Sequence, residues 1–244
     1  MTRYMDDYLK AAQAQLAAVT NTQRAAMDRA ADWVHETLMK DRFLYAFGSG
    51  HSHALAEEVF YRAGGLARVI PILDENLMVH INATASTEWE RKEGYAKQVL
   101  TRYSMSAGDL LFIISNSGRN AVPMEMALEA KARGARVIAI SSVEYVAQVT
   151  SRHSSGKKLT DIADLVIDNC GPVGDAVVSI EGLPQRIGPT STISSAFILH
   201  GILVEAAARI VAVGGKPEVW GSANSDSTNN DAIMARYKGK IPHL

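Results

Sequence analysis

Two short segments carry hydroxyl, amide and glycine residues in an order that suits an anion: Gly48-Ser49-Gly50-His51-Ser52-His53 and Ser115-Asn116-Ser117-Gly118-Arg119-Asn120. Each follows a short apolar run and precedes a helical pattern. Each is therefore a strand-to-helix turn that delivers backbone amides at a helix N-terminus, where negative charge is favoured. Serine hydroxyls beside those amides donate to phosphate oxygens without adding positive charge. Ser and Asn also cap helices and shape turns, but two such loops in one sheet favour phosphate binding. The ligand this suits is a small phosphorylated metabolite. The first loop fails as a dinucleotide fingerprint: His53 stands at the third glycine position, and no acidic residue ends a second strand about 20 residues on. No G-x-x-x-x-G-K-S/T segment is present, which argues against NTP hydrolysis by a P-loop.

The elements that hold these loops are legible from periodicity. Residues 43–47, 68–72, 110–114, 136–140 and 165–168 are short, almost wholly apolar runs, as expected of strands covered on both faces. Helical patterns alternate with them at 53–63, at 121–133 with Pro123 near its start, and at 191–213. The last of these places Ile193, Phe197, His200, Val204 and Val211 on one stripe. Residues 3–40 have no Pro or Gly and space Tyr8, Ala12, Leu16 and Val19 by about one helical repeat, which predicts two helices with a break near Thr20-Asn21. The fold class is α/β: a three-layer α/β/α sandwich with a five-stranded parallel sheet. The expected organisation is N-terminal helices over 1–40, the α/β domain over 41–213 and a tail over 214–244. That tail is polar and rich in Asn and Ser between residues 222 and 230.

Composition narrows the function classes. A length of 244 residues suits one large domain or one domain with extensions. With 47% hydrophobic and 21% charged residues, neither a disordered chain nor a coiled coil fits. The formal net charge of −1 leaves no basic footprint for nucleic acid and no polybasic membrane patch. Cys170 is the single cysteine, and the first residues lack the apolar core of a signal peptide. A reducing, cytoplasmic location is expected. No apolar stretch is read as approaching the roughly 20 residues that span a bilayer.

The two loops resemble the phosphosugar-binding loops of the sugar isomerase (SIS) domain. The second carries the more specific pattern, S-x-S-G followed two residues later by a polar side chain, and the resemblance spans residues 40–212. The run Ala56-Glu57-Glu58-Val59-Phe60-Tyr61-Arg62-Ala63-Gly64-Gly65-Leu66 is similar to that of the stand-alone bacterial branch. The resemblance implies that Ser115, Ser117 and Asn120 hold the phosphate, with Asn116 beside the sugar. Ser52, Ser49 and His51 would close the site from the first loop. It also implies at least a homodimer, a sugar 6-phosphate substrate and no cofactor.

Reactions of this family begin by removing the proton next to a sugar carbonyl, work for a carboxylate or imidazole with a suitably tuned pKa. The glutamates available are Glu58, Glu75, Glu90, Glu93 and Glu205. Glu93 and Glu58 come first, because they lie in segments roughly equivalent to those of the paired glutamates of the family's etherase branch. His200 corresponds in helix to a histidine of the heptose-phosphate isomerases and would assist ring opening. Those isomerases hold zinc with His, Glu and Gln; here Thr192 replaces the Gln, so no metal is expected. His51 and His53, two apart, diverge too far to cage an ion alone. The tail residues Asn224, Asp226, Asn229 and Asn230 are candidates to fold over a sugar. The implied function is a dehydratase that abstracts the C2 proton and eliminates the C3 hydroxyl of an N-acetylamino sugar 6-phosphate such as N-acetylglucosamine 6-phosphate. An aldose–ketose isomerase and a non-catalytic phosphosugar sensor are the alternatives.

Overall fold

The computed structural model describes residues 3–224 and 230–244. Two helices, α1 (Arg3–Thr22) and α2 (Arg24–Met39), open the chain and part at Gln23. β1 (Leu44–Gly48) leads through a 3-10 turn into α3 (His53–Glu58), and β2 (Val69–Ile72) is followed by α4 (Ala83–Glu90) and α5 (Tyr95–Leu100). Next come β3 (Leu110–Ile114), α6 (Ala121–Ala132), β4 (Arg136–Ser141), α7 (Val143–Gln148), α8 (Leu159–Ile162) and β5 (Leu165–Asp168). A hairpin of β6 (Ala176–Val178) and β7 (Ile187–Pro189) precedes α9 (Ser191–Ala212), and α10 (Asp231–Tyr237) lies near the C-terminus.

The five long-range strands form one parallel sheet in the order β2-β1-β3-β4-β5. Alternate residues go to opposite layers. Tyr45, Phe47, Leu111 and Ile113 pack with α5 and α6, whereas Leu44, Ala46, Phe112 and Ile114 pack with α2, α3 and α9. Burial on both faces is why these strands are apolar throughout. In this order β1 and β3 are neighbours whose connections leave in opposite directions, so a crevice opens at their carboxyl ends. Both hydroxyl-rich loops start there.

Four features depart from expectation. α3 stops at Glu58 instead of 63: Tyr61 takes a left-handed φ of +43°, and the Gly64 amide donates to the Trp220 carbonyl at 2.8 Å. The stripe of α9 is reversed. Ser195, Ile198, Leu199, Ile202 and Ala206 face the core, while Phe197, Val204 and Val211 are exposed. α9 is apolar almost all round, so periodicity could not choose its inner face. This helix is also long and apolar enough to cross a bilayer by length and composition, contrary to expectation; here its inner face packs against the sheet and α2. Finally, the tail is not merely polar. Trp220, Tyr237 and Ile241 are buried in the core that covers β1 and β2, and Val219 bridges to Leu66. Asn230 accepts from the Gly221 amide at 2.9 Å, and the Asn224 amide donates to Ser222 at 3.3 Å. Asp226 and Asn229 lie outside the described residues.

Candidate functional site

Glycine geometry shapes the first loop. A Cβ at Gly48 would stand 2.2 Å from the Ser52 carbonyl oxygen, and Gly50 has φ +60°. The loop therefore folds tightly back on the end of β1. The Ser52 amide donates to the Ser49 carbonyl at 3.1 Å, and the His53 ring turns inward to donate from Nδ1 to the Gly50 carbonyl at 2.8 Å. Ser49, 6% exposed, spends its hydroxyl on Glu90 Oε1 at 2.7 Å. Gly48→Ala is expected to open this turn, lowering Tm and weakening ligand binding together; thermal melts and titration calorimetry on the variant check both.

The second loop is held from below. The Ser115 amide donates to Ile140 at 3.0 Å, and the Asn116 carbonyl accepts from Ser142 at 3.0 Å. Gly118 adopts φ +58°, its α-carbon backed by Leu159 and Val146. Asn120 is the N-cap of α6, yet its side chain caps no amide. Its Oδ1 accepts instead from Arg152 Nη1 at 2.9 Å. The hydroxyls of Ser115 and Ser117 have no protein partner among the described residues. The loop thus offers first-turn amides and free hydroxyls in one place, the donor set an anion needs.

Beside these loops lies a cavity of about 330 Å³ lined by His51, Ser52, Leu55, Asn116, Asn169 and Thr192, among others. Asn169 is 1% exposed and was not singled out from the sequence. It donates from Nδ2 to Asn116 Oδ1 at 2.9 Å and to Ser195 at 3.3 Å, while its carbonyl accepts from Gln15 of α1 at 2.8 Å. Asp175, at φ +67°, caps α9 by accepting from the Thr190 and Ser191 amides at 3.1 and 2.8 Å. The amides of α9 thus already face a protein carboxylate. The only sequence signal for these residues was their place just after the fifth strand.

The proton-transfer candidates fall into two clusters. Glu58 and His200 meet: Oε1 stands 2.9 Å from Nε2, and Arg62 pairs with the same carboxylate. They sit along the seam of α3 and α9, Glu58 one turn beyond Leu55 and His200 two turns beyond Thr192, roughly 12 Å along the axis. Glu93 is elsewhere, bound to the segment after α7. Its Oε1 accepts from the Ser154 amide and its Oε2 from the Ser154 hydroxyl, both at 2.7 Å. Those bonds hold the Glu93 carboxyl below its usual range. Of the rest, Glu75 lines a separate cavity with Asp74 and His243, and Glu205 pairs with Arg209.

The residues present suit neither of two conceivable metal arrangements. A zinc ion of the heptose-isomerase kind does not fit: Glu58 Oε1 is held by His200 and by the cation of Arg62, and Thr192 offers a neutral hydroxyl two turns away. Glu93, Glu125 and His153 place ligand atoms within 4.8 Å of one another. The Ser155 amide, however, donates to His153 Nδ1 at 3.1 Å. That leaves the proton of the neutral ring on Nε2, the nitrogen that lies 3.3 Å from Glu125 and 3.6 Å from Glu93, where a metal would need a lone pair. The trio is a clamp of side chains, not a metal site.

Residues 7–142 match the family model of the SIS domain. The chain belongs to the SIS domain family. A UPF0309 protein of Halalkalibacterium halodurans is 44% identical over 239 residues, covering 97% of this chain and 99% of the relative. A UPF0309 protein of Brucella canis is 40% identical over 246 residues, spanning both chains entirely. The SIS unit of these relatives thus stands alone, as expected of this branch. Among solved structures, the phosphoheptose isomerase of Neisseria gonorrhoeae superposes with a TM-score of 0.57 at 16% identity, covering 85% of this chain and 98% of the isomerase. That of Francisella tularensis gives 0.56 at 16% identity, with coverages of 83% and 95%. At such identity the likeness is one of fold: the α/β/α architecture of this SIS chain is that of known phosphosugar isomerases.

Proposed function

We propose that the protein converts a sugar 6-phosphate by proton transfer, with Glu58 as base and His200 as its partner. The observation that carries this is the 2.9 Å contact between the Glu58 carboxylate and the His200 imidazole, on α3, which follows the first loop, and on α9, whose first turns line the cavity. The phosphate sits against Ser115, Ser117 and the first amides of α6, with Asn120 and Asn116 beside it. Ser52 and His51 close the cavity from the first loop, with Ser49 braced behind them, and the sugar carbons run toward the α3–α9 seam. There Glu58 takes the C2 proton. His200 first moves a proton to the ring oxygen to open the sugar.

The reaction preferred is elimination. The C2–H electrons form the C2=C3 bond, the C3–O bond breaks, and the hydroxyl leaves with a proton from His200 as water. Leu55, Ile114 and Pro189 give the otherwise polar cavity an apolar strip, a seat for an N-acetyl methyl. N-acetylglucosamine 6-phosphate is the substrate named on this ground. Glu93 is the second candidate base. Both of its oxygens accept from Ser154, which lowers its pKa, whereas the contacts of Glu58 fall on Oε1 and leave Oε2 open; Glu93 is the weaker proton acceptor.

Proton NMR of the protein with N-acetylglucosamine 6-phosphate in D2O tests the reading. A new vinylic signal is expected. Deuterium entering a ketose–aldose pair instead would establish an isomerase with the same base, and binding without turnover of this sugar, glucosamine 6-phosphate, fructose 6-phosphate or sedoheptulose 7-phosphate would favour a sensor. Ser117→Ala is expected to weaken sugar-phosphate binding by about 1 to 3 kcal/mol through one lost charge-assisted hydrogen bond. Unchanged affinity by calorimetry would remove the loop from the site.

A further inference from the structure

Resting on the phosphate reading of the 115–120 loop, we propose that Arg152, backed by Arg119, is the cationic ligand of the substrate phosphate. Within the loop itself the only cation is Arg119, and its guanidinium donates to Thr150. Arg152 comes from a segment 32 positions beyond Asn120, and its Nη1 reaches Asn120 Oδ1 at 2.9 Å. An N-cap asparagine ordinarily accepts from an amide of its own helix. Here the oxygen is turned to a guanidinium, and the first-turn amides of α6 stay uncapped. The arginine and the open amides therefore converge on one spot.

Among the described residues no carboxylate forms an ion pair with Arg119 or Arg152. The side-chain bonds of Arg119 end on Thr150 and that of Arg152 on Asn120, all neutral oxygens. Burial and the nearby guanidiniums of Arg119 and Arg91 hold Arg152 below its ordinary value, and Glu90 works in the opposite sense. A phosphate monoester carries close to two negative charges at neutral pH. Ser115 and Asn120 are 6% and 7% exposed, so the dianion leaves water to reach them. Without a countercharge that transfer is costly.

The segment that carries Arg152 is fixed on both sides. The Arg152 amide donates to the Arg119 carbonyl at 2.8 Å and the Leu159 amide to the Gly118 carbonyl at 2.9 Å. On the far side Glu93 grips Ser154 by its amide and hydroxyl, and His153 lies 3.3 Å from Glu125. Glu93 thereby acts as a positioning residue for the clamp.

Titration calorimetry with inorganic phosphate and with N-acetylglucosamine 6-phosphate, at low and high NaCl, tests this. Arg152→Gln is expected to weaken both anions about 10- to 100-fold and to flatten the salt dependence. Arg152→Lys keeps the charge, loses the planar fork and recovers part of the affinity. Arg119→Gln, a smaller change in the same direction, keeps the test open should Arg152→Gln fold poorly. A merely structural role would lower Tm and leave the salt dependence intact, and that result overturns the proposal. So does affinity within about twofold of the unaltered protein. If Ser117→Ala weakens binding while Arg152→Gln does not, only the arginine assignment falls. If the unaltered protein binds neither anion, the loop reading falls first and this inference with it.

Discussion

Glu58→Gln lowers turnover of the sugar phosphate by about 10²- to 10⁴-fold, the range for loss of a positioned general base, while the dissociation constant stays near that of the unaltered protein. The amide is nearly the same shape as the carboxylate, and its carbonyl still accepts from His200 and Arg62. What it cannot do is take a proton from C2. The donors proposed for the phosphate lie on other elements, in the 115–120 loop, so binding is expected to be spared. His200→Gln falls in the same direction, and the double variant loses little beyond the worse single one, because a pair 2.9 Å apart acts as a unit. Steady-state kinetics beside calorimetry measures both. Full turnover in Glu58→Gln, with loss in Glu93→Gln, would move the base to Glu93. If Glu93 only anchors the Arg152 segment, Glu93→Gln raises KM more than it lowers kcat.

Trp220→Ala destabilises the protein by about 3 to 5 kcal/mol, the usual cost of emptying a core site of an aromatic ring. For a chain of this size that is a fall in Tm of roughly 6 to 20 °C, read by circular dichroism. Trp220 is 2% exposed and packs edge-on to Tyr61 at 4.9 Å. Its backbone exchanges bonds with Gly64 and Gly65 at 2.8 and 2.9 Å. Its Nε1 is buried without a partner among the described residues, so Trp220→Phe, which removes that unmet donor, is expected to cost less than the alanine. A small shift in the alanine variant would mean that this part of the tail contributes little to the core. The neighbouring network gives the same picture. Arg68 donates to Tyr237 at 2.6 Å, Tyr237 in turn donates to Glu218, and burial together with the Glu218 bond raises the Tyr237 pKa.

Read alone, the amino-acid order specifies what depends on neighbours in the chain. The run at 110–114 coincides with β3, because a strand buried at every position needs apolar residues throughout; the run at 165–168 coincides with β5, an edge strand that is half-buried and ends in Asp168. The two loops are equally local. Gly48 and Gly50 are demanded by a turn that folds back on itself, and Ser115 to Asn120 follow a strand whatever the rest of the fold does. Contacts between distant segments were out of reach. An apolar helix carries no mark of which side meets the sheet, so the inner face of α9 and the outward set of His200 emerged only on packing. Asn169, Asp175 and Arg152 sit in segments with no motif of their own; each gains its partner from residues 15 to 53 positions away. α10 and Trp220 lie in a stretch whose polar composition hides a few large apolar side chains, and those matter because the exposed edge of β2 is there to be covered. Local backbone geometry and burial period are written residue by residue. Which charge meets which loop is settled by the crossing of the sheet, and that is a property of the whole chain.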